Sequence, residues 1–511
     1  MRVRRALLSA WRKDEIVEFA RQLSQLGVEL LASDGTAQVL RSAGIPVQAV
    51  SELTGFPPIL DGRVKTLHPL IHAALLVRRD VPEHMEQLQR FGVEPIDLVA
   101  VDFYPFEQAL GSSELDAGML ELIDIGGPAL VRAAAKNYPW VTVVVQPAQY
   151  GEVVALLREH GEVPEAVRRR YAAEAFARTA AYDAIVASVL RADGNTHTPQ
   201  WWVQALPLAQ ELRYGENPHQ RGWLYGSDYG RCFQQLHGKE LSYNNVLDAD
   251  AAVRLILEFE VPTVAILKHT APCGVGSDED LVKAWEKAWA SDPISPFGGV
   301  VVVNCPLGAE LAERLASVFL EQVLAPDFSE EALALLQRKR NLRLLRYNEP
   351  LLRQQWQQDF RSILGGVLIQ TSDVAVPLRT EEWRVVTQRE PTPAEWEALR
   401  FAWRVVKHVK SNAIVFAGPD RTLAIGGGQP SRLDAVRVAV RKAQESGLSL
   451  SGSVVASDAF FPFPDAIEEA IAAGATAVVQ PGGSVRDAEV VAAADAHGVA
   501  MVFTGTRHFR H

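Results

Sequence analysis

Short apolar runs alternate with amphipathic helical patterns through roughly the first 150 residues, and this alternation constrains the fold more than any other feature. The run at residues 6–8 is followed by a helical pattern that ends at Gly27, and residues 28–32 form the next run. Each run is short and apolar enough for a strand that is covered on both faces. The alternation therefore predicts an α/β layer with a parallel sheet, whose strands include residues 6–8, 28–32, 46–50, 98–101 and 141–145.

Domain boundaries follow from breaks in these patterns. A long helical pattern over residues 164–190 leads into the polar stretch 192–199, which contains glycine and proline. We therefore place a first domain at residues 1–195 and a second at 200–511, the latter in two lobes of about 200–375 and 385–511. Three such units fit a length of 511 residues. The second domain has strand runs at 264–267, 299–303 and 367–369, and a hairpin pattern at 412–416 and 422–425.

Composition limits the class of protein. Hydrophobic residues make up 48% and charged residues 22%, the balance of a soluble globular chain. The net charge of −11 disfavours broad binding to nucleic acid. The three cysteines are far apart, which indicates a reduced, cytoplasmic protein without structural zinc. Since no apolar run reaches about 18 residues, we expect no membrane insertion.

The first domain carries several residues suited to an anion. The turn at residues 33–36 precedes a helical pattern, so its N–H groups could hold a phosphate, although a simple helix cap explains the turn equally well. Arg63 and Lys65 would share one face of a strand, for which a solvated basic strand is the more common interpretation. His68 and His72 have the spacing of a metal pair, but the intervening Pro69 disfavours a helix through both. We therefore predict no metal site.

A glycine turn at residues 126–127 opens another helical pattern. Asp124 precedes this turn, while Arg132 and Lys136 lie four residues apart on one helical face. A helix N-terminus beside an acid and two bases suits a ligand site. An exposed face of ion pairs is the alternative.

The strand run 264–267 ends in Lys268 and His269. Ligands in open α/β folds bind beside strand ends, and histidine is the usual proton acceptor near neutral pH. A histidine that caps or satisfies the core is the more common case, and Cys273 is expected to be buried and inert. The aromatic cluster Phe460, Phe461 and Phe463 could stack on a planar ligand but is more typical of a core. These residues alone indicate an α/β enzyme for a phosphorylated small molecule.

Taken in order, these segments closely resemble the bifunctional purine-biosynthesis enzymes that join AICAR transformylase to IMP cyclohydrolase. The resemblance runs nearly end to end and implies a methylglyoxal-synthase-like first domain followed by two cytidine-deaminase-like lobes. It also implies a homodimer whose transformylase sites form between subunits. The motifs are residues 62–69 (GRVKTLHP), 104–106 (YPF), 123–128 (IDIGGP), 133–137 (AAAKN), 213–220 (RYGENPHQ), 241–245 (LSYNN), 268–270 (KHT), 297–299 (FGG), 410–412 (KSN), 457–463 (SDAFFPF) and 507–511 (RHFRH).

By this resemblance, the second domain moves a formyl group from the co-substrate 10-formyltetrahydrofolate to the amine of AICAR. His269 matches the catalytic histidine, and Lys268 matches its companion, which would stabilise an oxyanion or protonate the leaving nitrogen. The other residues that match substrate or folate positions are Arg213, Tyr214, Gly298, Asp327, Asn412, Arg432, Phe461, Asp465 and Arg507.

The first domain should then close the ring of formyl-AICAR to give IMP. The resemblance implies that Lys65, Tyr104, Asp124 and Lys136 handle charge and protons around the closing ring. The matching substrate contacts are Lys13, Thr36, Arg63, Thr66 and Gly126.

Several positions depart from the family pattern. Trp11, Arg12, Asp14 and Glu15 replace part of a Ser-Asp-Lys-Thr-Gly motif, Asp34 replaces a glycine, and Asp102 replaces an asparagine. Each of the three added carboxylates, Asp14, Asp34 and Asp102, should disfavour a bound phosphate by about 1 kcal/mol at 4 Å in a solvent-like setting.

We expect Arg12 to offset part of this by pairing with Asp34, and we hypothesise that cyclohydrolase activity is weakened. In the second domain, Ala271 replaces an asparagine, but the Lys268–His269 pair is intact. Two alternatives stay open: a transformylase with a structural first domain, and a non-catalytic nucleotide sensor.

Overall fold

The computed structural model describes residues 2–106, 117–191, 198–226, 228–355, 358–374 and 380–511. The chain divides into two compact units, residues 1–206 and 207–511. The predicted boundary at 192–199 lies largely outside the described residues, as does part of the predicted lobe boundary at 375–385. Among the described helices, none is both long and apolar enough to cross a membrane.

The first unit is a parallel sheet between helices, in the strand order β3-β2-β1-β4-β5. Short 3-10 turns lie at Leu60–Gly62 and Pro147–Gln149. Its elements are β1 (Arg5–Ala10), α1 (Lys13–Gln25), β2 (Glu29–Ala32), α2 (Asp34–Ser42), β3 (Gln48–Ala49), α3 (Val50–Thr54), α4 (Pro69–Leu76), α5 (Pro82–Arg90), β4 (Leu98–Asp102), α6 (Ala117–Glu121), α7 (Gly126–Lys136), β5 (Thr142–Val144), α8 (Tyr150–His160) and α9 (Glu165–Arg191).

The predicted α/β layer is confirmed because its strands are buried on both faces. Leu7 and Leu8 of β1 and Val99 and Ala100 of β4 are fully buried. The run at 46–50 was predicted too long, since β3 covers two residues and Val50 already begins α3. Because the strands are parallel, the residues that follow β1, β2 and β4 meet at one edge of the sheet.

The second unit contains two six-stranded sheets. In the first lobe the strand order is β10-β9-β11-β12-β13-β8, and in the second it is β16-β21-β20-β19-β17-β18. Its elements are β6 (Leu208–Leu212), β7 (Gly222–Tyr225), α10 (Tyr229–Cys232), β8 (Phe233–His237), α11 (Tyr243–Ile256), β9 (Thr263–Lys268), β10 (Ala271–Ser277), α12 (Leu281–Ser291), β11 (Gly299–Val303), α13 (Ala309–Ala316), β12 (Leu320–Ala325), α14 (Glu330–Leu336), β13 (Arg343–Tyr347), α15 (Glu349–Gln355), β14 (Gln358–Ile363), β15 (Gly366–Thr371), β16 (Arg384–Val385), α16 (Pro393–Val406), β17 (Ile414–Ala417), β18 (Thr422–Gly426), α17 (Arg432–Glu445), β19 (Ser453–Ser457), α18 (Asp465–Ala472), β20 (Ala475–Gln480), α19 (Asp487–Ala496) and β21 (Ala500–Phe503), with a 3-10 turn at Thr380–Glu382.

The two lobes repeat one topology. In each, a helix, α11 or α16, is followed by an antiparallel strand pair and then by alternating helices and parallel strands. Helices α11 and α16 lie in one hydrophobic core with the inner faces of both sheets. The predicted hairpin is confirmed as β17 and β18, whereas the strand predicted at 367–369 belongs to the exposed hairpin β14–β15 rather than to a sheet core.

Edge strands β10 and β18 join the lobes. Gly276 and Arg421 form an antiparallel bridge, and the N–H of Val275 donates to Thr422 Oγ1 at 2.9 Å. Because β10 and β18 run in opposite directions, the start of β10 lies toward the end of β18. The end of β9 in the first lobe therefore shares one side of this unit with the start of β17 in the second lobe.

Candidate active sites

The first candidate site lies at the carboxyl edge of the first unit's sheet. Lys13 begins α1, and its Nζ donates to Thr36 Oγ1 at 2.9 Å and to the carbonyl of Ala10 at 2.5 Å. Burial and the nearby charge of Lys65 lower the pKa of the Lys13 ammonium. Thr36 lies in the first turn of α2, whose unpaired N–H groups favour an anion.

Lys65 and Tyr104 form the centre of this site. Lys65 Nζ donates to the Tyr104 hydroxyl at 2.8 Å and lies 5.1 Å from the centre of its ring. Trp11 packs against the same ring edge to face, with the two ring centroids 4.9 Å apart. A lysine beside a phenol can hold negative charge or pass a proton to it.

The start of α7 supplies an acid to the same site. Asp124 Oδ1 accepts the Gly127 N–H at 2.8 Å, and the Asp124 N–H donates to the Tyr182 hydroxyl at 2.8 Å. Burial raises the pKa of the Asp124 carboxyl, although the Gly127 N–H and the charge of Lys65 oppose this rise. The close approach of Thr66 requires glycine at 126, because a Cβ there would lie 2.6 Å from Thr66 Oγ1.

The second candidate site is built on the turn between β9 and β10. Lys268 pairs with Ala271, so His269 and Thr270 form a two-residue hairpin loop. Both have a positive φ, +53° and +64°, which these residue types rarely adopt. Such strain costs about 1–3 kcal/mol per residue and is concentrated at functional sites.

Lys268 connects this turn to a neighbouring segment of the first lobe. Lys268 Nζ donates to the Phe297 carbonyl at 2.7 Å, next to Gly298. The loop that carries Arg213 and Tyr214 is tied to the start of α11, where Asn244 Nδ2 donates to the Glu216 carbonyl at 3.1 Å. The Arg213 guanidinium lies over the Tyr214 ring at 5.1 Å.

A cavity of about 590 Å³ opens at the matching edge of the second lobe. It includes the predicted residues Asn412, Asp465 and Arg507, and the Arg507 guanidinium lies 4.6 Å from the centre of the Phe509 ring. Three strand spacings, roughly 15 Å, separate the end of β9 from the start of β17. This edge therefore has a turn with Lys268 and His269 at one end and a cavity lined by arginine and aromatic side chains at the other.

Comparisons with known proteins identify the family of this chain. The sequence profile of the AICARFT/IMPCHase bienzyme family matches residues 134–442, and that of the MGS-like domain matches residues 15–129. The bifunctional purine biosynthesis protein PurH of Chloroflexus aurantiacus is 58% identical over 100% of this chain and 99% of its own. PurH of Myxococcus xanthus is 51% identical over 99% of this chain and 100% of its own. Among solved structures, the crystal structure of ForH covers 37% of this chain and 99% of its own at 35% identity, with a TM-score of 0.34.

The chain belongs to the AICARFT/IMPCHase bienzyme family. The predicted family and its bifunctional enzyme class are thereby confirmed, together with the methylglyoxal-synthase-like first domain. In this bienzyme, the two candidate sites lie in different units of the chain.

Two residues predicted for the first site lie away from it. Arg63 is 65% exposed, and both ends of its guanidinium bond the carboxylate of Glu121. Lys136 ends α7, about 15 Å along the helix from Gly126. It lines a separate cavity of about 570 Å³ with Arg132, Arg169 and Phe176, so within this chain it does not reach Lys65 or Asp124.

The expected pairing of Arg12 with Asp34 is wrong. Arg12 binds Asp102 instead, through Nε at 3.0 Å and Nη2 at 2.8 Å, and its backbone N–H donates to the same carboxylate at 3.0 Å. Asp34 accepts the hydroxyl of Ser51, while its Oδ2 is buried without a hydrogen-bond partner. Asp14 is exposed in the first turn of α1. Of the three added carboxylates, Asp102 is thus neutralised directly.

Two residues predicted to bind a ligand at the second site, Phe461 and Arg432, need correction. Phe461 is fully buried, whereas Phe460 and Phe463 of the same aromatic cluster, which were expected in the core, line the cavity. Arg432 touches the cavity, but its guanidinium is buried and bonded to Asp458 Oδ1 at 2.5 Å, Ser457 Oγ at 2.7 Å and Asn412 Oδ1 at 2.8 Å. It therefore holds Asn412 rather than a ligand.

Asp327 lies at the opposite end of its sheet. Strand β12 starts beside Gly299, on the side of Lys268, and Asp327 follows its far end, about 20 Å away. It forms an ion pair with Arg346, at 3.8 Å. One copy of the chain cannot bring Asp327 to His269.

Sequence reasoning missed Asp248, which accepts the Thr270 N–H. The Ser242–Asn245 capping box indicates where the helix starts, but not which turn the helix contacts.

His68 accepts the Leu70 N–H and caps α4. Among the described residues, no group of three or more His, Cys, Asp or Glu side chains could hold a metal ion.

Proposed function

We propose that the second unit transfers a formyl group from 10-formyltetrahydrofolate to AICAR, and that the first unit closes formyl-AICAR to IMP with loss of water. The observation that carries this assignment is the strained turn that displays His269 beside Lys268. A fold gains nothing from two non-glycine residues at positive φ, so the strain is explained by the need to present a side chain.

In formyl transfer, the amine of AICAR is a weak nucleophile because its lone pair is delocalised into the imidazole and carboxamide. His269 accepts the amine proton as the new carbon–nitrogen bond forms. The bond from the formyl carbon to the folate nitrogen breaks, and that nitrogen takes up a proton. Lys268 retains two N–H donors beyond its bond to Phe297, and these stabilise the oxyanion of the tetrahedral intermediate.

In ring closure, the carboxamide nitrogen attacks the formyl carbon of the same molecule, so the protein mainly folds the substrate and moves protons. The Lys65–Tyr104 pair stabilises charge on the carbonyl oxygen. Asp124, whose carboxyl pKa is raised by burial, can exchange a proton with the departing hydroxyl. The first turn of α2 and Lys13 hold the phosphate.

The Arg12–Asp102 pair favours an active cyclohydrolase over a structural first domain. An unpaired carboxylate at 102 would repel the phosphate, and the guanidinium removes most of that effect. Asp34 is the remaining departure that could weaken the step.

We also propose a homodimer in which the partner supplies the counterpart of Asp327 to each transformylase site. This is supported by the position of Asp327 at the far end of the first lobe's sheet, where it cannot reach His269 of its own chain. The exposed apolar hairpin β14–β15, with Phe360, Leu364 and Leu368, offers surface for such an assembly.

Reciprocal variants of the full chain test the two assignments. Lys268→Ala or His269→Ala should lower formyl transfer by about 10²–10⁴-fold while ring closure of supplied formyl-AICAR proceeds normally. Lys65→Ala should lower ring closure of supplied formyl-AICAR while formyl transfer proceeds normally. Both steps are measured separately on each variant, and unchanged formyl transfer in His269→Ala would refute the transformylase assignment.

A further inference from the structure

The loop at His269–Thr270 has the geometry of a type I′ hairpin turn, with positive φ at both central residues. Asn-Gly satisfies this geometry best, and a β-branched threonine at positive φ is a rare outlier. In such a turn the N–H of the second loop residue has no partner within the hairpin. This N–H is therefore free to bond a group outside the hairpin.

That group is Asp248 of α11. Its Oδ1 accepts the Thr270 N–H at 2.7 Å. Burial raises the pKa of the Asp248 carboxyl, while this hydrogen bond and the positive form of His269 oppose the rise. The charged groups around the turn are Lys268 on the same hairpin, Asp248 on α11, and the Lys442–Asp292 pair from α17 and the end of α12, which acts on neighbouring Cys273.

The second lobe provides an internal comparison. Helix α16 starts 150 residues after α11, with the same type of cap, and the position that matches Asp248 is the buried Ala398. The matching turn is the segment Gly418–Arg421, in which the Gly418 N–H donates to the Arg421 carbonyl at 2.9 Å. The lobe without a histidine at this turn also lacks the carboxylate beneath it.

We propose that Asp248 is a positioning residue for formyl transfer: it holds the His269–Thr270 turn and places a negative charge beside the imidazole. The inference rests on the proposed role of His269. The carboxylate fixes the backbone from which the imidazole extends and stabilises its protonated form after it has taken the amine proton.

Three variants separate the two contributions. Asp248→Ala removes both acceptor and charge, Asp248→Asn keeps an acceptor oxygen but removes the charge, and Thr270→Gly relieves the positive φ. Asp250→Asn, on the same helix and paired with Arg254 at 2.8 Å, is the matched control. All are assayed for formyl transfer with AICAR and 10-formyltetrahydrofolate across pH, and for folding by circular dichroism.

We expect Asp248→Ala to lower kcat by about 10–100-fold and Thr270→Gly to restore part of that loss in the double variant. Asp248→Asn keeps an acceptor oxygen for the Thr270 N–H but not the charge, so its kcat should lie between those of the wild type and Asp248→Ala, whereas Asp250→Asn should behave as wild type.

Wild-type kcat in Asp248→Ala, or a loss of activity no greater than the loss of folded protein, would overturn the inference. So would an Asp248→Asn variant whose kcat equals that of the wild type or that of Asp248→Ala. His269→Ala is assayed in parallel. If it is inactive while the Asp248 variants are normal, only this inference fails; if it is active, the proposed function fails first.

Discussion

The two lobes of the second unit use one scaffold for different purposes. In the first lobe, the antiparallel pair β9–β10 is closed by two residues at positive φ that expose His269. In the second, the pair β17–β18 is closed by the segment Gly418–Arg421, which joins the lobes through the Asp420 carbonyl and the Ser277 N–H at 2.8 Å. The repeated topology thus separates a strained turn that serves chemistry from a relaxed turn that serves assembly.

The largest effect should come from giving the first lobe's turn its best local sequence. His269→Asn with Thr270→Gly should abolish formyl transfer and stabilise the protein by about 1 kcal/mol, because Asn-Gly matches the type I′ geometry. Activity assays and urea unfolding measure the two effects.

Pro419→Ala in the matching turn of the second lobe is the control for that variant. It should leave kcat unchanged and alter stability by less than about 1 kcal/mol. Lower stability in the Asn-Gly variant would mean that the first turn is not strained, and the contrast between the lobes would be lost.

The sequence predicted those parts of the fold that depend on local patterns. Strands such as β1 and β4 were readable because both of their faces are buried, and the hairpin β17–β18 because turn residues separate two apolar runs. Phe461 and Phe463 could not be told apart, since which ring enters the core depends on how the chain packs after β19. The contact between Asp248 and Thr270 joins a helix to a turn 22 residues later, so only the tertiary fold reveals it.

The second lobe also contains a buried ion pair, between Arg432 and Asp458. Arg432→Ala should destabilise the second unit by about 3–5 kcal/mol, because it leaves buried Asp458 without its cation. The variant also removes the Arg432 hydrogen bond to Asn412 Oδ1, which holds Asn412 at the cavity, so the KM for substrate should rise. Urea unfolding and steady-state kinetics measure both.

Arg441→Ala, which removes an exposed pair with Glu445 on the same helix α17, is the matched control and should cost less than about 0.5 kcal/mol. If the two variants lose equal stability, the buried Arg432–Asp458 pair contributes no more to the stability of the second lobe than the exposed pair does.

The smallest effect should come from Lys287, at the opposite end of β10 from the His269 turn. Its Nζ binds Asp278 and Asp420 at 2.6 Å each and the Ser277 carbonyl at 2.9 Å, so it links the first lobe to the second lobe's relaxed turn. Lys287→Met should lower stability by about 1 kcal/mol, since the two carboxylates are partly solvated and keep some hydration. Its kcat for formyl transfer should equal that of the wild type, because the joint lies about 20 Å along β10 from the chemistry. A large fall in kcat without a matching fall in stability would show that the Lys287 contacts affect the conformation of the His269 turn. The two turns would then not have separate roles in catalysis and in assembly.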